Sequence, residues 1–261
     1  MICKNEKAQL YLGNTFCAFR GNIFKPIDVK PPCFCLYACE SPMIISSRLT
    51  TALVSVALIP PNDSVNVDCG GNQVLVLYLS PKWASALLEK HGGVVTDFSR
   101  NVVGLISKIY QQLENPCTGT QLKSLEYLLE QLKITLSGGQ VVDQRTIQAI
   151  KMLENSAEKN FRVNEIAQEL NLSLGGFCNL FKRKTGVSAR TLRLWIRCVS
   201  VAKSVGFSSD PTAAVMDEGF SDYAQFSRIF KVFVGTSPCT IRRLYNKVTI
   251  TQNMNEQGYG S

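Results

Sequence analysis

The sequence predicts an α+β protein with a small N-terminal β-barrel or sandwich, a helical middle segment, and an all-α C-terminal domain built from two helix-turn-helix units. Three observations carry this expectation. Short β-type runs fill the first 80 residues, the pattern turns helical from Pro81 onward, and one helix–turn–helix block recurs 49 residues downstream.

The expected strands are Leu10 to Phe19, Phe34 to Cys39, Met43 to Ser47, Ala52 to Ile59 and Gln73 to Leu79, parted by clusters of Pro, Gly, Asn and Asp. Several short strands at this spacing suit a small sandwich or barrel. Ser80-Pro81 then supplies a cap and a first-turn proline for a helix to about Lys90, stopped by Gly92-Gly93. A second helix is expected over Asn101 to Leu113, ending before Asn115-Pro116, and a third over Gln121 to Leu136. Leu122, Leu125, Leu129, Leu132 and Leu136 of that third helix fall at intervals of three and four. This heptad seam is expected to join two copies of the chain, the alternative being a stripe facing the chain's own core. Ser137-Gly138-Gly139 is the expected linker.

The remaining helices are expected over Gln144 to Ser156, Val163 to Leu170, Leu174 to Lys184, Ala189 to Val205, Pro211 to Glu218, Tyr223 to Val234 and Pro238 to Tyr245. Asp210-Pro211 and Ser237-Pro238 each read as an N-cap followed by a first-turn proline. The domain plan is therefore 1–97 for the β unit, 98–139 for the helical segment, 140–250 for the helix-turn-helix domain and 251–261 for a disordered tail.

Composition narrows the function. The chain has 261 residues, 45% of them hydrophobic, enough for two ordinary domains and too many for a disordered chain. Neither a signal peptide nor a membrane span is expected: Lys4, Glu6 and Lys7 interrupt the start, and the longest apolar run, Thr51 to Pro60, is too short. A cytoplasmic location follows, and ten cysteines then suggest reduced thiols. His91 is the sole histidine, so catalytic triads and multi-histidine metal sites are excluded, no phosphate-binding glycine loop occurs, and neither an enzyme nor a cofactor is expected. Residues 141–250 hold 16 Lys/Arg against 9 Asp/Glu, whereas residues 1–140 hold 12 against 10. The basic excess sits in the C-terminal part and points to a polyanion.

The repeat gives that polyanion a reader. Phe177, Phe181, Lys182, Gly186 and Ser188 recur as Phe226, Phe230, Lys231, Gly235 and Ser237. Each block follows a short helix and a tight turn, EIAQELNLS and AVMDEGFSD, with Asn171 and Gly219 suited to the left-handed turn residue. In each second helix the apolar positions face the core. The opposite faces present Gly175, Cys178, Asn179, Lys182 and Arg183 in one, and Tyr223, Ala224, Ser227, Arg228 and Lys231 in the other. Arginine reads guanine with two hydrogen bonds, asparagine can read adenine, and lysines hold phosphates. The 17-residue helix between the blocks, Ala189 to Val205, is about 25 Å long, a spacer that suits two successive major grooves of double-stranded DNA.

At EIAQELNLS, LFKRKTG, LWIR and GFSDYAQFSRIF with GTSP, residues 141–244 resemble the AraC/XylS family of bacterial transcription regulators. The resemblance implies base approach by positions 175, 178 and 179 and by 224, 227 and 228. Gly175 and Cys178 stand where larger polar side chains are common, so shape or backbone contacts are expected to carry more of the first motif's share. It further implies a homodimer, contact with RNA polymerase and a small-molecule effector. The segment ALVSVALIPPNDSVNVDCGGNQVLVLYLSP resembles the end of a cupin-type sensor domain, with Val65 where a metal-binding cupin has histidine.

The rival reading is a thiol-based metal or redox sensor. Cys33, Cys35 and Cys39 share one face of a strand and Cys69 sits at a turn that could return to it, a partial likeness to the zinc-thiolate domain of Ada-type repair regulators. Asn72 stands where that domain's fourth thiolate belongs, and no CxxC pair occurs. The simpler reading makes the cysteines core residues of a strand buried on both faces, with Phe34 and Leu36 on the other side. A third reading is a constitutive DNA-binding protein whose N-terminal half only dimerises.

Overall fold

In the computed structural model the β-type runs of the N-terminal region pair into one curled, largely antiparallel sheet that forms a half-barrel, giving the chain a two-domain α+β architecture. The structure describes residues 7–12, 16–113, 119–138, 143–155, 162–205, 211–244 and 247–252. The strands are β1 (Lys7–Leu12), β2 (Phe16–Asn22), β3 (Ile27–Val29), β4 (Cys35–Ser46), β5 (Thr51–Ile59), β6 (Val65–Asp68), β7 (Gln73–Leu79) and β8 (Lys247–Gln252). Their order is β3-β6-β4-β7-β2-β1-β8, with β5 on the other side of β4.

Four differences from the expected strands have local causes. The run expected from Leu10 to Phe19 is two strands of a hairpin, pairing Leu12 with Cys17. The two runs expected over 34–47 are one long strand bent by a bulge between Ala38 and Met43. β3 and β6 are too short to show an alternating pattern, but they pair with each other, Ile27 against Val67. The first two residues of the tail expected to be disordered, 251–252, end β8, a strand not expected at all, which lies parallel to β1 at the sheet's edge. Of the other expectations, Asn115-Pro116, Gly139, Asp210, Tyr245, the tail beyond Gln252 and the side chain of Leu122 lie outside the described residues.

The sheet is apolar on both faces, which places a layer on each side of it. One face carries Tyr11, Phe16, Leu36, Leu58, Leu75 and Leu77. It is covered by α1 (Ala84–Lys90), α2 (Arg100–Gln112) and α3 (Gly119–Ser137). A 3₁₀ turn, Pro81–Trp83, leads into α1, with Ser80 accepting from the Lys82 N–H at 3.3 Å. The other face carries Cys35, Tyr37, Val74, Val76 and Tyr78, and its core runs without a break into the C-terminal helices.

The leucine seam of α3 is corrected here. Leu125, Leu129, Leu132 and Leu136 are at most 2% exposed and pack with Val102, Ile106, Ile109 and Leu113, so these four leucines close the chain's own core. A 3.5-residue spacing cannot distinguish a partner helix from a neighbouring helix and sheet of the same chain.

The C-terminal helices are α4 (Gln144–Glu154), α5 (Val163–Glu169), α6 (Leu174–Thr185), α7 (Ala189–Val205), α8 (Thr212–Asp217), α9 (Tyr223–Val234) and α10 (Pro238–Leu244). Ser237 caps α10 ahead of its first-turn proline, accepting from the Thr240 N–H at 3.1 Å. Pro211, expected as the first residue of its helix, is the cap residue instead, because α8 starts one position later.

Leu129→Ala is expected to lower unfolding free energy by about 2–5 kcal/mol in urea titrations, the range for a buried leucine. An unchanged midpoint with a shift in sedimentation would return the stripe to a dimer role.

Candidate nucleic-acid interface

Each helix-turn-helix is set by backbone chemistry before any DNA is considered. Between α5 and α6 the turn residue Asn171 has φ 54°, and between α8 and α9 Gly219 has φ 79°, the left-handed geometry that the turn needs. Gly219 is also held from outside: Arg197, midway along α7, donates to its carbonyl at 3.1 Å, and a Cβ at Gly219 would lie 3.2 Å from the guanidinium carbon. The LWIR segment therefore ties the central helix to the second turn.

Both second helices start on a side-chain cap. Ser173 accepts from the Gly176 N–H at 3.1 Å, and Asp222 accepts from the Gln225 N–H at 2.6 Å. The Gln225 N–H first, then the Ser221 hydroxyl, hold the Asp222 carboxyl below its ordinary range, with Arg228 adding to the effect. This cap is therefore intact at neutral pH and weakens as acid protonates Asp222.

The core-facing sides of α6 and α9 are buried, with Phe177, Phe181, Phe226, Phe230 and Phe233 in one cluster with Trp195. On the opposite side of α6, Gly175, Cys178, Asn179, Lys182 and Arg183 are exposed, and a Cβ at Gly175 would meet nothing within 4 Å. On α9, Ala224, Arg228 and Lys231 are exposed. Tyr223 and Ser227 are half-buried, and the Tyr223 ring sits 5.8 Å from Phe226, at the margin of the face rather than its centre. The Arg228 Nε donates to the Ala224 carbonyl of its own helix at 3.3 Å, which leaves its two terminal nitrogens for another partner.

A feature absent from the sequence reading is the hold of the N-terminal domain on both helices at their C-terminal ends. α6 ends at Gly186 (φ 79°), whose Cβ position lies 3.0 Å from Pro61, and Lys184 pairs with Glu89 of α1 at 3.1 Å. α9 ends at Gly235 (φ 84°), whose Cβ position lies 2.7 Å from Val29. Two bonds to the half-barrel flank that glycine: the Lys30 N–H donates to the Val232 carbonyl at 2.9 Å and the Tyr78 hydroxyl to the Phe233 carbonyl at 3.1 Å. The sequence signalled the glycines through the repeat but not what presses on them, since Pro61, Glu89, Val29 and Tyr78 lie far off in the chain.

An apolar cavity of about 60 Å³ lies between the domains, lined by Leu12, Phe19 and Tyr78 on the sheet and by Trp195, Val199, Ala202 and Phe230 on the helices. Tyr78 and Trp195 meet at one wall, ring centres 4.8 Å apart.

The four cysteines Cys33, Cys35, Cys39 and Cys69 do not gather into one site. Cys33 and Cys35 are core residues of the two-sided sheet, with burial pushing their thiols well up, while Cys39 and Cys69 hydrogen-bond one another at the bend of β4. Among the described residues no three His, Cys, Asp or Glu side chains are placed to hold a metal ion, and no helix is long and apolar enough to cross a membrane.

Two helix-turn-helix units joined by one helix, with outward basic second helices, define a double helix-turn-helix protein. A family model described as a helix-turn-helix domain matches residues 166–244. The chain is 30% identical over 100 residues to the Msm operon regulatory protein of Streptococcus mutans, and 30% over 103 residues to the arabinose operon regulatory protein of Escherichia coli. These stretches take in 37% and 39% of this chain, which spans about a third of the length of those curated relatives, 35% in each case. The fold resembles apo ToxT of Vibrio cholerae with TM-score 0.58 and 15% identity, covering 87% of this chain and 97% of that one. ToxT with an unsaturated fatty acid bound gives 0.57 and 14%, covering 89% and 96%. Residues 166–244 thus carry a helix-turn-helix domain similar to those of two operon regulatory proteins, and the two-domain fold is similar to that of ToxT.

If Arg228 reads a base, its replacement by alanine is expected to cost about 1–3 kcal/mol on a specific site and little on random duplex, because a two-bond base contact would go while phosphate contacts stay. Equal losses on both DNAs, measured by fluorescence anisotropy, would assign Arg228 to the backbone.

Proposed function

We propose that the chain is a cytoplasmic, sequence-specific DNA-binding transcription regulator that answers to a small apolar effector. The observation that carries this reading is the arrangement of α6 and α9: each has its capped start and polar face open to solvent and its end held by the N-terminal domain. Arg228, Lys231, Asn179, Lys182 and Arg183 then contact double-stranded DNA, Arg228 and Asn179 at base edges and the others at phosphates. Gly175 and Cys178 let the first helix approach closely and read shape, while Ala224 and Ser227 touch bases beside Arg228. The half-barrel serves as a cupin-like sensor over about 1–97, the helical segment of 98–139 braces it, and 140–250 binds DNA.

The interdomain cavity is the place for the effector, since a molecule there touches both domains and can favour one arrangement over another only through that difference in contact. ToxT holds an unsaturated fatty acid, and the apolar lining here suits ligands of that chemistry. A homodimer is part of the proposal, with α3 offering its outer face, where Tyr127 and Ile134 are 64% and 45% exposed, in place of its leucines. RNA polymerase completes the set of partners.

Selection from a random duplex library by the full chain should converge on one motif, and addition of an unsaturated fatty acid should shift affinity for that motif in the wild type but not in Ala202→Phe, which fills the cavity. Failure to enrich any motif would reject sequence-specific binding. An equal shift in both proteins would place the effector elsewhere.

A further inference from the structure

The N-terminal domain holds two kinds of cysteine. Cys17, Cys33 and Cys35 lie inside the apolar core, and burial keeps them protonated: the Cys17 thiol is pushed up to about 12, chiefly by burial against a smaller opposing pull from Lys203. Such thiols are inert.

Cys39 and Cys69 differ in place and in partners. Their thiols hydrogen-bond each other at the bend of β4, between the stretch that pairs with β7 and the stretch that pairs with β6. Cys39 is the last residue of β4 paired with β7 and the first beyond Ala38, where the register with β5 shifts, and Cys69 follows β6 at the turn through Gly70 and Gly71, both at positive φ. Asn72 closes that turn, its backbone N–H and its side-chain amide both donating to the Cys69 carbonyl, at 3.0 and 2.8 Å. The next residue, Gln73, accepts the Cys39 thiol at 3.1 Å. The turn thus carries Cys69 back onto Cys39, thiol against thiol. Cys39 is 6% exposed beside the exposed bulge residues Glu40, Ser41 and Pro42, whereas Cys69 is fully enclosed.

We propose that Cys39 and Cys69 are an oxidant-responsive modification site, closing a reversible intramolecular disulfide on reaction with a small peroxide. Cys39 is the attacking sulfur. The bond from the Cys69 thiol, and then the N–H groups of Ser41 and Glu40, draw the Cys39 thiol down to about 7 against burial and the Glu40 charge. The same bond first, and then burial, push the Cys69 thiol up, and Cys69, wholly enclosed behind Cys39, is the resolving partner. The Gln73 carbonyl accepts a hydrogen bond from the Cys39 thiol, a contact that favours its protonated form.

The chemistry balances with hydrogen peroxide as oxidant. The Cys39 thiolate attacks one peroxide oxygen, the O–O bond breaks, and a sulfenic acid and hydroxide result. Cys69 sulfur then attacks the sulfenic sulfur, the S–S bond forms, and the displaced hydroxide takes the Cys69 proton and leaves as water. The thiol pair loses two electrons, peroxide gains them, and two waters are produced in all. The bond ties the β4 bulge to the β6–β7 turn across a loop that holds β5 and β6, and so restrains the unfolded chain.

The test treats the reduced full-length chain with equimolar hydrogen peroxide, blocks remaining thiols with N-ethylmaleimide after denaturation, and assigns bridges by fragmentation of tryptic peptides. The expected result is one bridge between Cys39 and Cys69, removed by dithiothreitol, retained in Cys33→Ala and Cys35→Ala, and accompanied by a higher melting temperature in the oxidised protein. Oxidation confined to the exposed Cys178 and Cys239, or a bridge that joins Cys69 to Cys33 or Cys35, would overturn the proposal. Because the bridge is read in the wild type, the result does not depend on any variant folding, and it is independent of DNA binding.

Discussion

Both recognition helices end in a left-handed glycine pressed against the N-terminal domain, and the rest of the architecture depends on that contact. At Gly235 a side chain would meet Val29 at 2.7 Å, and at Gly186 it would meet Pro61 at 3.0 Å. A glycine at these ends terminates the helix and also lets the half-barrel come within van der Waals reach of its last turn. The two helices are consequently held by one body at two points, in addition to the central helix that joins them. Their relative placement is a property of the whole chain, not of the C-terminal domain alone.

The packing between the domains makes this hold cooperative. The sheet face bearing Tyr78 and Val76 shares one apolar cluster with Trp195, Phe230 and Phe233. The polar links at its rim are few: Tyr78 to the Phe233 carbonyl, Lys30 to the Val232 carbonyl, Lys184 to Glu89 and Lys82 to Glu154. The two ion pairs are partly exposed and contribute little, so burial of apolar surface is the main adhesive. An adhesive without strong directional bonds, with a cavity inside it, can be altered by a ligand of modest size. This gives a physical route from a molecule in the cavity to α6 and α9 that needs no long chain of intermediaries.

The helix-turn-helix repeat was legible because its signals are local: Asn171 and Gly219 at left-handed turns, Gly186 and Gly235 recurring 49 residues apart, and phenylalanines at helical spacing. The α7 bounds follow from periodicity alone. The sheet was less legible, since β3 and β6 are brief and owe their existence to partners distant in sequence, and β8 returns to the first strand from the far end of the chain. The leucines of α3 show a different limit. Their spacing declares an apolar face, and only the tertiary structure tells that the α2 helix and the sheet's outer face already occupy it. The cysteines divide for the same reason: alternation placed Cys33, Cys35 and Cys39 on one face, but the bulge after Ala38 and the turn after Cys69 decide which thiol meets which.

The central claim, that two held helices read one duplex together, is tested most directly by hydroxyl-radical footprinting of the full chain on its selected site. The account predicts two protected patches on one face of the DNA, centred about 10 base pairs apart, one for each recognition helix. A single protected groove, or uniform protection along the duplex, would contradict it.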